Sequence, residues 1–487
     1  MTSLLVKGDI VLTMDRGRRV LKDGGVYVEG NRIVEVGQAA DLATKYRPER
    51  VIGGRRKLVM PGFINAHDHY VVGLLRQLCD DRNLLGVIDD MWGLPLIRNI
   101  SVNDVYVGAK MVMVEQIRSG ITTSFDDTVT WLPVRMGKEE VVDHISKASE
   151  EVGGIRVVQT VGGFDVEEGL GPAADLFLSD LQATKRECNN LMDRYNSEES
   201  TVRIWSTASW PLGCTKANFT VMKEVADQHK TFTFSHVAEV KSEAQAIREK
   251  TGRKEIEYLG DLGFLDENVL FAHVVWVDDS EIRLLKRTGT KVSHQPVSNQ
   301  YLSDGIAPVP AMIKAGVTVA LGIDDAGHMN EDFFALMKSY CLMHKGVTQN
   351  PSSTTAEKAL EMATVDGASA LGMEASLGSL EAGKKADIIV VDLNRWNYAP
   401  HLRPITAMVY GGMASDVETT IVDGKVLMEN RRLTAGINEE ELMDEVERTA
   451  YDLVERAEMR NLATESHLGW EIPYFRRQNR PRDFRDK

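Results

Sequence analysis

Leu58-Val-Met-Pro-Gly-Phe-Ile-Asn-Ala-His67-Asp-His69 joins an apolar run to two histidines that are two positions apart. Side chains at i and i+2 of a β-strand share a face, so His67 and His69 aim their imidazoles at one point. Two neutral imidazoles directed at one point are typical of a bound metal ion such as Zn²⁺. The spacing therefore indicates a metal site at the end of a strand.

Four later strand-like runs end on a further potential ligand. They finish at His236, His273, His294 and Asp324. Histidine nitrogens together with a carboxylate oxygen suit Zn²⁺, and nearly as well Fe²⁺, Mn²⁺ or Co²⁺. Such an ion lowers the pKa of a bound water towards about 7. Asp324 could act both as a weak ligand and as the acceptor of that water's proton.

Residues 61–377 alternate between strand-like and helix-like segments. Amphipathic helices are predicted between the strands, for example over 105–118 and 243–250. Repeated βα units of this length predict a parallel sheet closed into a barrel, with its active site at the carboxyl ends of the strands. Besides the run before His67, the strand-like segments are 120–125, 155–160, 201–205, 231–235, 269–272, 291–293 and 317–321.

The two ends of the chain have a different pattern. Short strand-like runs separated by Gly, Asp and Asn are predicted over 4–7, 10–13, 25–28, 32–36, 386–392 and 419–426. Two β-rich ends around a different middle indicate one discontinuous domain, formed by 1–60 and 378–436. The barrel then occupies 61–377. Residues 437–487 form a helical extension, with an amphipathic helix over 439–460.

The composition of the chain further limits the classes of function that the protein can have. The formal net charge of −15 disfavours nucleic acid as the main partner. No stretch approaches the ~20 apolar residues of a membrane span. The four cysteines are far apart and form no Cys-x-x-Cys motif. This fits a reducing cytoplasm and argues against the zinc site of the cytidine-deaminase fold.

Residues beside the candidate ligands are suited to proton transfer and substrate binding. Glu239 lies three positions after His236, where a carboxyl group can reach past a metal and protonate a leaving nitrogen. His273 is suited to polarising the group under attack or stabilising an oxyanion. His294 and Asn299 are candidates for substrate binding, although His294 could equally support the site from behind.

Seven motifs occur in a fixed order along the chain: Pro61-Gly-Phe-Ile-Asn-Ala-His67-Asp-His69, Gly120-Ile-Thr-Thr, His236-Val-Ala-Glu239, Ala272-His273, His294-Gln-Pro-Val-Ser-Asn299, Leu321-Gly-Ile-Asp324 and Leu377-Gly-Ser-Leu-Glu-Ala-Gly. Together they resemble the amidohydrolase superfamily, in the branch of triazine hydrolases, atrazine chlorohydrolase, guanine deaminase and the adenosylhomocysteine deaminases. The resemblance implies an α/β fold, a distorted (β/α)₈ TIM barrel that carries a small β-sandwich, and usually a homodimer.

The resemblance also implies the residues of the site. One divalent ion per subunit, most simply Zn²⁺, would be held by His67, His69, His236 and Asp324. Glu239 would be the proton shuttle and His273 the residue that polarises the substrate. Glu239, His273 and Asp324 are therefore the expected catalytic residues.

Three positions depart from the resembled pattern. Asp325 places a second carboxylate beside Asp324, and Gln295 replaces a small residue before the proline. His328 stands where a serine helps the leaving group in the chlorohydrolase, so chlorine displacement is not expected. Asp325 and His328 are both expected to contact the substrate.

The expected pocket wall is apolar. The resemblance assigns it to residues 84–92, which end on Trp92, with contributions from Trp131 and Trp210. Trp92 is a further candidate for substrate binding. An apolar and aromatic lining suits a flat, neutral substrate.

The sequence thus predicts a cytoplasmic, metal-dependent amidohydrolase. We expect it to deaminate an N-heterocycle such as a triazine, purine or pyrimidine. One alternative is hydrolysis of an open-chain urea, carbamate or thiocarbamate, and another is a non-catalytic scaffold barrel. The expected partners are a small-molecule substrate and further copies of the chain, with no nucleic acid and no membrane.

Overall fold

The computed structural model describes residues 3–78, 80–88, 95–324, 330–466 and 468–475. Its strands form two separate eight-stranded sheets. In chain order they are β1 (Ser3–Leu12), β2 (Val20–Glu29), β3 (Arg32–Gln38), β4 (Arg50–Pro61), β5 (Phe63–Asn65), β6 (Ile121–Asp126), β7 (Arg156–Gly162), β8 (Val202–Thr207), β9 (Thr233–Val237), β10 (Val269–His273), β11 (Lys291–His294), β12 (Val319–Leu321), β13 (Ile388–Asp392), β14 (Val417–Val422), β15 (Lys425–Glu429) and β16 (Arg432–Leu433).

Helices fill most of the segments between the barrel strands. They are α1 (Ala39–Tyr46), α2 (Leu84–Val87), α3 (Pro95–Asn99), α4 (Val102–Ser119), α5 (Lys138–Glu151), α6 (Glu167–Leu170), α7 (Ala174–Phe177), α8 (Leu181–Tyr195), α9 (Lys216–His229), α10 (Lys241–Thr251), α11 (Glu255–Asp261), α12 (Asp279–Thr288), α13 (Pro296–Tyr301), α14 (Val309–Ala315), α15 (Phe333–Thr348), α16 (Ala356–Met362), α17 (Val365–Ala370), α18 (Pro404–Gly411) and α19 (Glu439–Arg456). Short 3₁₀ helices lie at Tyr70–Leu75, Val129–Trp131, Val134–Met136, Gly171–Ala173, Trp396–Tyr398, Ala414–Asp416 and Leu462–Thr464. None of the described helices combines the length and the apolar composition that a membrane crossing requires.

The second sheet is the predicted barrel. Strands β5 to β12 lie side by side in chain order and every pairing is parallel. The pairing of β8 with β9 is reduced to two residue pairs, so the barrel is distorted there. Backbone hydrogen bonds close it between its first and last strands, from Ala66 N to Leu321 O and from Asp324 N to His67 O. The prediction of a distorted (β/α)₈ barrel is confirmed.

The first sheet is built from both ends of the chain, as predicted. Its order is β16-β15-β14-β13-β4-β1-β2-β3, and the β1–β4 pairing alone is parallel. The sheet folds over onto itself, because Ile33 in β3 exchanges backbone hydrogen bonds of 2.9 and 2.8 Å with Lys384 and Gly383. A separate apolar core, which includes Val6, Val26 and Ile388, fills the space that this sheet encloses.

Two predicted strands near the N-terminus are one strand in the structure. The runs that begin at Leu4 and Ile10 both lie in β1, and the Gly8-Asp9 pair read as a turn is a β-bulge against β4. Gly8 is needed there, since a Cβ at this position would lie 2.5 Å from the carbonyl oxygen of Lys57. A close backbone approach and a turn leave the same glycine signal in a sequence.

Helix α4 begins three residues before its predicted start at Val105. Ser101 caps its N-terminus, and Asp104 reaches back to the backbone N–H of Ser101. This capping box satisfies two amide groups that the helix leaves unpaired, which fixes the start at Val102. At the other end of the chain, α19 lies against α4, and Arg118 pairs with Glu439 at 2.8 Å.

A buried ion pair joins the barrel to the sandwich. Arg156 at the start of β7 bonds to Asp387 at 3.3 Å and to Asp423 at 3.4 Å. Its side chain is 4% exposed. Removing one partner of a buried pair leaves an uncompensated charge in the interior, which is costly.

We expect Arg156→Met to lower the free energy of unfolding by about 3–5 kcal/mol, because Asp387 loses its buried partner, whereas Asp423 keeps Lys385 at 3.1 Å. Urea denaturation followed by circular dichroism measures this. Arg194→Met is the control, since Arg194 makes an exposed pair with Glu139 and should change stability by less than about 1 kcal/mol. Equal small effects for both variants would contradict the expectation.

Candidate active site

Five residues from distant parts of the sequence meet at the carboxyl ends of the barrel strands. His67 and His69 follow β5, and His236 and His273 lie at the ends of β9 and β10. Asp324 follows β12, where its backbone is paired with Asp68. All five are buried or nearly so. The structure therefore brings together the residues that strand-end reasoning selected, with the exception of His294.

The imidazoles of His69 and His236 face each other through their Nε2 atoms, which are 3.3 Å apart. On the far side of each ring, Nδ1 lies 3.2 Å from the carbonyl oxygen of Asp127 and 2.9 Å from that of Ser209, respectively. A carbonyl oxygen only accepts, so each Nδ1 carries the proton. Both Nε2 atoms therefore present a lone pair to the same point.

His67 and Asp324 complete this cluster. Nε2 of His67 lies 3.1 Å from Oδ1 of Asp324, and Nε2 of His69 lies 3.5 Å from the same oxygen. Neither ring nitrogen of His67 makes a hydrogen bond within the described residues. Burial lowers the pKa of His67 and of His69 well below its usual range, so both imidazoles are neutral at pH 7.

A divalent metal ion fits this arrangement. Nitrogens bound to Zn²⁺ at about 2.0–2.1 Å in a tetrahedron are about 3.3–3.4 Å apart, close to the distance between the two Nε2 atoms. Three overlapping triads have ligand atoms that all lie within 4.8 Å of one another: His67, His69 and Asp324; His67, His236 and His273; and Glu239, His273 and Asp324. Neutral imidazoles with a carboxylate form a donor set that binds such ions.

The backbone is strained where two of these side chains are presented. His273 and Asp324 have φ values of +70° and +79°, a region that residues with a Cβ rarely adopt. Asp324 is held by the barrel closure, since its N–H donates to the carbonyl of His67 at 2.8 Å. The N–H of His273 donates to Oε1 of Gln295 at 2.8 Å. Gln295, which departs from the resembled pattern, thus supports this conformation.

Glu239 and His273 face the same space. Oε2 of Glu239 lies 3.6 Å from Nε2 of His273. Burial raises the pKa of Glu239 well above its usual range, and the nearby charges of Asp304 and Asp324 raise it further. A raised pKa favours the protonated form of the carboxyl group, which is the form that a general acid needs.

An apolar cavity of about 270 Å³ opens above the cluster. His69, His236, Glu239, His273 and Asp324 form its polar floor. Its apolar walls are Leu84, Leu85, Val87, Ile88, Trp131, Trp210, Leu212, Val240, Ala246 and Leu302. The described part of the predicted segment, up to Ile88, and the two tryptophans thus line the cavity, while residues 89–92 lie outside the described residues. A cavity of this kind suits a small, flat and largely uncharged molecule.

Trp131 is fixed by a hydrogen bond from beneath the cavity. Its Nε1 donates to Oδ2 of Asp127 at 3.0 Å, and the hydroxyl of Ser209 donates to the same oxygen at 2.8 Å. The ring of Trp131 meets that of His236 edge to face, with centres 5.7 Å apart. One buried carboxyl group therefore supports both the cavity wall and the cluster.

Of the five residues predicted to contact the substrate, two lie outside the cavity lining and three lie outside the described residues. His294 does not line the cavity: Ser293 and Gln295 turn into the barrel, and His294 packs outside it against Tyr340 and His344 of α15. The alternation of side chains along β11 explains this placement. Asn299 also stays outside the cavity lining and bonds to His273 instead. Trp92, Asp325 and His328 lie outside the described residues.

Sequence reasoning missed three buried acids around the site. Asp127 follows β6 and could have been found, since it ends a strand-like run as Asp324 does. Glu243 accepts from the N–H of Glu239 at 3.1 Å, four residues away, and left no signal beyond an ordinary helix residue. Asp304 lies in a loop whose Ser-Asp-Gly sequence is typical of any turn.

Comparison with known proteins agrees with the fold. A 5'-deoxyadenosine deaminase of Methanosarcina acetivorans is 36% identical over 464 residues, which cover 94% of this chain and 100% of that protein. A 5-methylthioadenosine/S-adenosylhomocysteine deaminase of Thermoanaerobacter pseudethanolicus is 32% identical over 456 residues, 93% of this chain and 100% of that protein. The solved structure of an adenosine deaminase from Xanthomonas campestris with bound zinc superposes with a TM-score of 0.85 at 24% identity, covering 93% of this chain and 98% of that one.

The family model for the amidohydrolase family matches residues 58–427. This span contains every barrel strand and every residue of the cluster. The protein is accordingly a hydrolase that acts on carbon–nitrogen bonds, which removes the scaffold alternative. On the evidence of this match and of two deaminase relatives above 30% identity, the chain belongs to the amidohydrolase family.

Proposed function

We propose that the protein hydrolytically deaminates a purine-type heterocycle, in particular an adenine derivative with an uncharged substituent. The observation that carries the proposal is the position of the His/Asp cluster and of Glu239 at the floor of one apolar cavity. The deaminase relatives, which act on 5'-modified adenosines according to their names, support it.

The proposed metal ligands are His67, His69, His236 and Asp324, with one ion per subunit. Zn²⁺ is the proposed ion, because three imidazoles and a carboxylate at these distances suit a tetrahedral site, although Fe²⁺, Mn²⁺ and Co²⁺ accept the same donors. When bound, a divalent cation of this kind makes water more acidic, so that hydroxide is available at neutral pH.

Two of the proposed catalytic residues transfer protons, and the third positions the substrate. Asp324 accepts a proton from the attacking water. Glu239, whose pKa is raised by burial, delivers a proton to the departing nitrogen, so that ammonia rather than an amide anion leaves. His273 donates a hydrogen bond from Nε2 to the heterocycle and holds the reacting carbon against the nucleophile. The apolar walls exclude bulk water from the site.

Ammonia release across a panel of substrates tests the proposal. The panel contains adenosine, 5'-deoxyadenosine, methylthioadenosine, a triazine and a phenylurea. The highest kcat/KM is expected for the adenine derivatives with an apolar 5' substituent, since the cavity walls are apolar. Turnover of the phenylurea alone would favour the open-chain alternative instead.

Trp131 provides a prediction about substrate binding. Trp131→Ala should raise KM for the best substrate by roughly tenfold or more, since tenfold corresponds to about 1.4 kcal/mol of lost contact. Metal content, measured in parallel, separates this loss from damage to His236. Trp396→Ala is the control, because Trp396 is 95% exposed and far from the cavity lining. An unchanged KM in Trp131→Ala would count against this cavity as the substrate site.

The cellular setting is also proposed. Cys188, Cys214 and Cys341 are free, buried thiols, which is consistent with a reducing cytoplasm. The proposed assembly is a homodimer or larger homo-oligomer acting on a small molecule. Sedimentation of the purified enzyme tests the assembly, and a monomer at working concentration would contradict it.

A further inference from the structure

A short chain of polar side chains lies behind His273, on the side away from the cavity. Nδ2 of Asn299 is 2.9 Å from Nδ1 of His273 and 3.2 Å from Oδ2 of Asp304. The indole of Trp276 anchors the loop from outside, since its Nε1 donates to the carbonyl oxygen of Asp304 at 2.7 Å. Asn299 is 1% exposed and Asp304 is 4% exposed.

The orientation of the Asn299 amide follows from its neighbours. An amide nitrogen carries two hydrogens, so one can be donated to Asp304 and the other to His273. With the amide turned over, its oxygen would lie 3.2 Å from a carboxylate oxygen, and two acceptors would face each other without a proton. In this orientation Oδ1 of Asn299 has no hydrogen-bond partner among the described residues.

This orientation decides which nitrogen of His273 carries the proton. A neutral imidazole has one N–H, and a nitrogen that accepts a hydrogen bond cannot be the one that bears it. Because Nδ1 accepts from Asn299, the proton lies on Nε2. That atom faces Glu239 at 3.6 Å and belongs to the cavity floor.

We propose that Asn299 and Asp304 are positioning residues that fix His273 as the Nε2–H tautomer, aimed into the cavity as a hydrogen-bond donor to the substrate. Asp304 acts through Asn299, whose amide nitrogen lies 3.2 Å from its Oδ2. The effect on turnover rests on the proposed deamination, whereas the tautomer itself does not.

The direct test is ¹⁵N NMR of the metal-loaded enzyme labelled in its histidine side chains. The signals of His273 are identified by their absence in His273→Gln. We expect a protonated Nε2 and an unprotonated Nδ1 in the wild type, and the reverse in Asn299→Asp, whose carboxylate accepts from Nδ1. A wild-type His273 protonated at Nδ1, or bound to metal through Nε2, would overturn the proposal.

Kinetics provide the second test. Asn299→Asp should lower kcat by roughly 100-fold, the scale of a lost proton-transfer or hydrogen-bonding group, with KM changed less than about threefold. If Asn299 only filled space, this nearly isosteric change would be mild. Asn189→Asp is the matched control, because Asn189 bonds to His229 at 2.7 Å in a similar pair far from the cavity, and its kcat should stay unchanged.

Asp304 is tested by rescue. Asp304→Asn keeps an oxygen that can accept from Asn299, and it should retain at least about tenfold more activity than Asp304→Leu, whose side chain cannot accept. Equal activities in the two variants would overturn the role of Asp304. If the tautomer is as proposed and no substrate is deaminated, the proposed function fails while this inference stands.

Discussion

Glu239→Gln should retain its metal ion and lose turnover by roughly 10²–10⁴-fold, the range that general acid–base catalysis contributes. Glutamine keeps the shape and the hydrogen-bonding reach of the side chain but has no proton to give to a leaving nitrogen. Since Glu239 lies 3.6 Å from His273 on the cavity floor, this change acts on the reacting atoms and not on the fold.

Single-turnover rates and metal analysis of the purified variant measure this effect. The matched control is Glu255→Gln, since Glu255 is equally buried and its pKa is also raised by burial, yet it does not line the cavity. We expect the control to keep near-normal rates. A Glu239→Gln enzyme with near-normal turnover would contradict the role of Glu239 as proton donor.

His69→Ala should weaken metal binding by at least about 100-fold, because losing a ligand costs more than the 10–100-fold typical of losing a residue that supports one. Activity should disappear with the ion. The fold should survive, since His69 lies at the end of the barrel and its backbone bonds, including that of its N–H to Asp324 O at 2.8 Å, do not need the side chain.

Metal content after dialysis and far-ultraviolet circular dichroism measure these two outcomes separately. His144→Ala is the control, since His144 is distant from the cluster and its ring bonds only to the backbone of its own helix. A further comparison is informative: without metal, His69→Ala should be no less stable than the wild type, because it removes a lone pair that faces His236 at 3.3 Å. Full metal occupancy in His69→Ala would contradict the ligand set.

The barrel and the positions of its strand-end residues could be predicted because both follow from periodicity. A parallel sheet aligns its carboxyl ends, so a ligand-type residue at the end of each apolar run must fall on one rim. His67, His236 and Asp324 are far apart in the sequence and meet there for that reason. The pairing of the two chain ends could also be predicted, since each end contains strand-like runs that need partner strands.

The surroundings of these residues could not be predicted in the same way. Whether His294 faces into the barrel or out of it depends on a register of one residue, and Ser293 and Gln295 take the inward positions. Asn299 lies in a short helix and Asp304 in the loop that follows it. No periodic pattern in the sequence predicts which way their side chains point. Gly8 marks a close backbone approach that composition alone cannot separate from a turn.

The two segments that close the barrel, 66–69 and 321–324, are also the segments that carry three of the four proposed ligands. An ion held there would link the first strand of the barrel to the last, and about half of the polypeptide lies between these two segments in the sequence. The ion would then reinforce a closure that backbone hydrogen bonds already make. An enzyme of this design acquires its reactive centre only when the first and last strands of its barrel have met, so an incompletely folded chain carries no stray hydrolytic activity.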